Sequence, residues 1–241
     1  MTLPRSTSGR SFVIDVFPES VARHEGRTIV AIDVIRATTL AVTALAVGRR
    51  CIVARDVDEA LEYRDRLGEA LLAGEVGGHV PVGFDMNNSP ADLVARSDGH
   101  RPVVMLSTSG AQLVLASAKA AARAYLACLR NVSAVARRLV EQHTDVALIG
   151  AGSRGEFREE DQLCCAWIAH RLIDAGFTPA SAETVEVAER WRKSTVSDIE
   201  ISNSVAYLRR SGQLRDLDFI TAHVDDLTLV PSIRENEVYL T

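Results

Sequence analysis

The chain has 241 residues, of which 47% are hydrophobic and 24% charged, enough apolar material to bury a sizeable core. Its formal net charge of −5 gives no basic footprint for a nucleic-acid backbone, and it has no uncharged apolar run of the roughly 18 residues that a membrane span requires. The first ten residues, with Arg5 and Arg10, lack the apolar stretch of a signal peptide, so the expectation is a cytoplasmic protein with one domain over 1–241.

Val- and Ile-rich runs at Phe12 to Val16 and Ile29 to Asp33 predict two successive strands. A helix fits Thr38 to Val47, a strand Cys51 to Ala54, and a second helix starts at Val57, with Asp56 and Glu59 at capping-box spacing. Leu71 to Ala73 is a short strand ending at glycine. The following stretch, Gly74 to Asn88, is glycine-rich, aperiodic and long for a connection, which marks it as functional rather than a spacer. Ser89, Pro90 and Asp92 then announce a helix as N-cap, first-turn proline and first-turn acid.

Further strand–helix pairs follow at Val103 to Leu106 with Ala111 to Ser117, and at Ala124 to Ala127 with Ser133 to Gln142. Strand Val146 to Ile149 precedes helix Glu160 to Asp174. Ala182 to Arg210 reads as helical with a break near Lys193 to Ser197, and Phe219 to Thr221 and Val238 to Leu240 read as closing strands. The alternation predicts an α/β fold, a three-layer α/β/α arrangement with a mixed, mostly parallel sheet, in which the opening strand pair and the closing strands allow antiparallel additions.

The four cysteines, at 51, 128, 164 and 165, have no metal-ligand spacing and read as reduced, buried thiols; the six histidines show no zinc pattern. Chemistry is sought at the carboxyl ends of strands, where open α/β sheets bind ligands. Asp33 to Thr39 places an acid, Arg36 and two hydroxyls between strand and helix: the acid suits a metal or a nucleophile and the arginine suits phosphate, with a surface ion pair and a threonine cap as the alternative. Ser107, Thr108, Ser109 and Gly110 open a helix with hydroxyls and free N–H groups, an anion-binding arrangement or a set of ordinary caps. Gly150-Ala151-Gly152-Ser153 precedes Glu159, Glu160 and Asp161, acids that the helix dipole alone would favour. In the glycine-rich loop, Glu75, Asp85 and Asn88 supply oxygens for a hard cation, while nothing in the sequence positions His79.

The ordered set Asp33-Val34-Ile35-Arg36-Ala37-Thr38, Gly74-Glu75, Gly83-Phe84-Asp85, Asn88-Ser89-Pro90, Ser107 to Gly110, Asn131 and Ala151-Gly152 before Glu160-Asp161 resembles the 2-phosphosulfolactate phosphatases, over roughly residues 12 to 231. Gly212, Asp218 and Val230-Pro231 also fit that pattern. The resemblance implies a Mg²⁺-dependent hydrolase releasing phosphate from (R)-2-phospho-3-sulfolactate, a step of coenzyme M biosynthesis. Carried onto this chain, the expected catalytic residues are Asp33, Arg36, Glu75 and Asp161. The expected substrate contacts are Thr38, Asn88, Ser89, Ser107, Thr108, Ser109, Gly110 and Gly152, and the expected Mg²⁺ ligands come from Asp33, Glu75, Asp85 and Asp161. Two departures stand out: Val76 where the family pattern reads arginine after Gly-Glu, and Asn87 where it reads glycine. The first removes one cation from the anion-binding set. The alternatives are a phosphatase for another phosphorylated hydroxy acid and a small-anion binding protein without turnover. The expected partner is a small anionic phosphoester, with neither nucleic acid nor membrane, and a homodimer is the default assembly.

Overall fold

In the computed structural model, residues 9–152 and 155–241 are described. The elements in chain order begin with β1 (Ser11–Asp15), β2 (Thr28–Ile32), α1 (Ala37–Ala46), β3 (Cys51–Val53), α2 (Val57–Leu67), β4 (Leu71–Gly74) and α3 (Pro90–Val94). There follow β5 (Val103–Leu106), α4 (Gly110–Ala120), β6 (Arg123–Ala127), α5 (Val132–Gln142), β7 (Asp145–Gly150) and α6 (Glu159–Asp174). The chain closes with β8 (Thr178–Pro179), α7 (Ala182–Arg190), α8 (Asn203–Arg210), α9 (Leu214–Ala222), β9 (Pro231–Arg234) and β10 (Glu237–Leu240). Among the described residues no helix is long and apolar enough to cross a membrane.

The strands form one ten-stranded mixed sheet in the order β4-β5-β3-β10-β9-β6-β2-β7-β1-β8. Strands β4, β5 and β3 make one parallel block, and β6, β2, β7, β1 and β8 make another. The C-terminal hairpin β9–β10 stitches them together, antiparallel to β6 on one side and to β3 on the other. Three antiparallel steps in succession mean that the two blocks run in opposite senses. Strand twist of about 20–25° per neighbour turns β2 by roughly 100–125° from β5 across the five intervening steps. This rotation lets the carboxyl ends of both blocks approach one cleft instead of pointing to opposite edges.

The concave side of this curled sheet is filled by α1 and α4. Helix α1 is apolar nearly all round, and all eight residues from Ala37 to Ala44 are buried, as a helix enclosed on every side requires. It shares one core cluster with Leu71 and Met105 from one block, Ile29 and Leu126 from the other, and Ile233 and Val238 from the hairpin. On the opposite face, α5, α6, α7 and α8 cover β1, β2, β6 and β7, while α2 covers Ile52, Leu72 and Val104.

Most expected elements are present within a residue or two of their expected limits, with three corrections. Phe219 to Thr221 is not a strand but lies within α9, where Leu217 and Ile220 are buried at helical spacing; a three-residue apolar run cannot by itself distinguish the two periods. The opening strands do not pair, because β7 lies between β1 and β2 and is parallel to both, so the antiparallel members come from the C-terminal hairpin alone. At α2, Asp56 accepts the Glu59 N–H at 2.8 Å as expected, but Glu59 reaches back to the Arg55 N–H at 2.6 Å, one residue before the cap.

Because Ile233 is buried in the core cluster beneath α1 and α4, Ile233→Ala is expected to cost about 2–5 kcal/mol of stability, measured by urea denaturation.

Candidate active site

A cleft of about 510 Å³ opens where β2, β4, β5 and β7 end, bounded on its far side by α8. Asp33 follows β2 directly and is buried beside the start of α4. The Thr38 hydroxyl accepts the Asp33 N–H at 2.9 Å and lies 2.7 Å from the Ala127 carbonyl, tying the turn to β6. Thr38 is fully buried in this role and does not face the cleft. A side chain at Gly110 would overlap both the Asp33 carboxylate and Ala37, so only glycine lets α4 come this close.

Three buried carboxylates crowd this strand edge. Burial pushes the Asp33 pKa up to about 7, opposed by the Ala37 N–H and reinforced by the charges of Glu160 and Glu75; Arg158 pulls it back down. Asp161 is raised well above the usual carboxylate range by burial and by its neighbours Asp33 and Glu160. Its two oxygens accept the Val34 N–H at 2.7 Å and the Ala151 N–H at 3.0 Å, so it staples the end of β2 to the end of β7. Glu160 is also raised by burial, opposed by the hydroxyls of Ser204 and Ser202, and neither of its buried oxygens has a well-formed hydrogen bond.

Arg36 is buried and follows a cis peptide bond from Ile35. Its guanidinium pairs with Asp216 and donates to Asn87 Oδ1 at 3.1 Å. Asp216 also accepts the Ser89 hydroxyl at 2.6 Å and the Ala91 N–H at 3.2 Å. Ser89 in turn caps α3 through the Asp92 N–H at 3.0 Å, so it serves the scaffold, whereas Asn88 lines the cleft.

The start of α4 does carry anion-binding donors, and the chain itself fills most of them. Glu75 accepts the Thr108 N–H at 2.7 Å, the Thr108 hydroxyl at 2.8 Å, the Ser107 hydroxyl at 3.2 Å and the Gly78 N–H at 2.7 Å. Ser109 lines the cleft without a capping hydrogen bond of its own. A Cβ at Gly152 would overlap the Val16 and Glu156 carbonyls, and Gly152 is not among the residues that line the cleft. Asp85 lies elsewhere, accepting the Leu72 N–H at 2.9 Å and pairing with Arg101 at 3.3 Å. Val76 and His79 are exposed at either end of a tight turn and do not line the cleft. Ser153, Arg154 and Arg5 lie outside the described residues.

Sequence reasoning missed several lining groups, among them Glu156, Arg158, Ser204, Tyr207 and Arg210. It also missed Asp216, and here a signal existed. Asp216 and Ile220 are both buried four residues apart, a pattern hidden once Phe219 to Thr221 is read as strand.

Among the described residues no three His, Cys, Asp or Glu side chains form a ready cation cage. Mg²⁺ is commonly held by only one or two carboxylates, with waters and substrate phosphate completing the shell. Asp33 and Glu75, both lining the cleft, match that oxygen donor set.

The model of the 2-phosphosulpholactate phosphatase family matches residues 15–236. A protein of Deinococcus radiodurans named probable 2-phosphosulfolactate phosphatase is 32% identical over 224 residues, which is 91% of this chain and 92% of that one. Proteins with the same name in Pseudothermotoga lettingae and Thermus thermophilus are 32% and 31% identical, covering 93% and 92% of this chain and 97% and 93% of their own lengths.

Gly110→Ala is expected to destabilise the fold by about 1–3 kcal/mol through overpacking against Asp33. Gly99→Ala, where an added methyl meets nothing within 4 Å, should leave the urea midpoint close to that of the unaltered chain.

Proposed function

Since the chain belongs to the 2-phosphosulpholactate phosphatase family, we propose that it hydrolyses the phosphomonoester of a small anionic 2-phospho acid, (R)-2-phospho-3-sulfolactate, with Mg²⁺ as cofactor. The observation that carries this reading is Asp33, a buried carboxylate at the end of a central strand, opening into a cleft that also presents Arg36 and Arg158. Phosphoryl transfer needs charge neutralisation and an oriented nucleophile more than it needs covalent chemistry from the protein.

Arg36 is a fixed donor. Asp216 and Asn87 hold its guanidinium, so little reorganisation is needed when an anion arrives. Arg158, Ser109 and Asn88 supply further cationic or hydrogen-bonding groups at the mouth of the site. Glu75 orders the loop over α4 through its four hydrogen bonds and, with Asp33, would hold Mg²⁺ by giving up one of them, since the four occupy its lone pairs. Bound there, Mg²⁺ supplies charge neutralisation for the phosphate oxygens. Asp33 serves either as nucleophile or as principal ligand. Asp161 acts through the backbone: its two N–H bonds set the position of the strand ends on which Asp33 and Ala151 sit.

Two measurements test this. Phosphate release from (R)-2-phospho-3-sulfolactate is expected to stop after EDTA treatment and to return with Mg²⁺; hydrolysis that survives exhaustive chelation contradicts the metal requirement. Asp33→Asn is expected to lower kcat by at least about a thousandfold, as loss of a principal electrostatic or nucleophilic group does, with the thermal transition retained. If the unaltered chain binds the phosphoester but releases no phosphate, it is a binding protein and not a hydrolase.

A further inference from the structure

The arginines of the cleft differ in what already meets their charge. Arg36 is buried against Asp216, and Arg158 lies 3.5 Å from Glu156 and beside Asp33. Arg210 is exposed on the last turn of α8, lines the same cavity, and has no carboxylate within ion-pair distance among the described residues. Its neighbour Arg209, which does not line the cleft, is paired with Glu200 at 2.7 Å.

The placement of Arg210 is set by a contact one turn earlier. Tyr207 donates its hydroxyl to the Gly78 carbonyl at 2.6 Å, which docks α8 against the loop that carries Glu75. Residues three apart share a helix face, so Arg210 is presented on the side that Tyr207 fixes to the cleft. The buried side of α8 is held separately by Val205 and Leu208 in the core. A guanidinium in this position forms a charge-assisted, two-pronged contact with a planar or tetrahedral anion at little cost in protein rearrangement.

We propose that Arg210 is the specificity-determining residue for a second anionic group on the substrate, a carboxylate or sulfonate carried on the same small molecule as the phosphate. The proposal rests on the phosphatase reading for its meaning, while its test has an arm that does not. Arg210→Gln, at an exposed position, is expected to keep the thermal transition. The ratio of kcat/KM for (R)-2-phospho-3-sulfolactate to that for p-nitrophenyl phosphate, which has no second anionic group, should fall about 10-fold to 150-fold, through KM. Arg210→Lys should recover part of it. In calorimetric titrations, Arg210→Gln should weaken binding of 3-sulfolactate more than binding of inorganic phosphate. An unchanged ratio, or equal weakening of both ligands, overturns the assignment. If the unaltered chain turns over neither ester, the phosphatase reading fails, and the titrations alone decide whether Arg210 recognises the second anion.

Discussion

The two N–H bonds of Asp161 are the constraint on which the site depends. A carboxylate that accepts Val34 N–H and Ala151 N–H locks together the ends of two central parallel strands, and it does so from a buried helix start. Breaking that staple would leave the Asp33 turn to be held by Thr38 and the Ala151 N–H without its partner. It also has an electrostatic consequence. With Asp161 committed to the backbone, Asp33 and Glu160 are left as buried carboxylates close to it; both raise the cost of ionising Asp161, and Glu160 raises that of ionising Asp33. Such an arrangement is costly for stability and is the kind of expense found at functional sites.

A second set of contacts links the far end of the chain to the same cleft. Asp216, on α9, gathers Arg36, Ser89 and Ala91, and Gln213 accepts from Asn87 at 3.0 Å. The C-terminal helices therefore hold Arg36 from behind, while α8 carries Tyr207 and Arg210 to the front. The hairpin β9–β10 completes the link, because without it the two parallel blocks would have no shared strand pairing.

Glu75 shows how a local motif can be sound and its use still differ. Hydroxyls and an N–H at a helix start do bind an anion here, but the anion is the chain's own carboxylate. The resulting bridge orders the loop together with the Tyr207 hydroxyl bonded to the Gly78 carbonyl, and Ser109, Asn88 and the arginines line the rest of the cleft.

What the sequence determined by itself was the alternation of strand and helix, the long glycine-rich loop, and the strand-end position of Asp33, because periodicity, caps and breakers are local properties of neighbouring residues. It also carried the family, through an ordered set of short motifs. What only the tertiary structure decided was which polar groups are already taken. Asp85 is used by Leu72 N–H and Arg101, Thr38 by the backbone of its own turn, and Ser89 by Asp216, and these pairings involve residues from 13 to 127 positions apart, or backbone that only the folded turn brings within reach. The opposite sense of the two parallel blocks was equally hidden. It depends on a closing hairpin inserted between β3 and β6, and a strand's own residues do not record which neighbour will lie beside it.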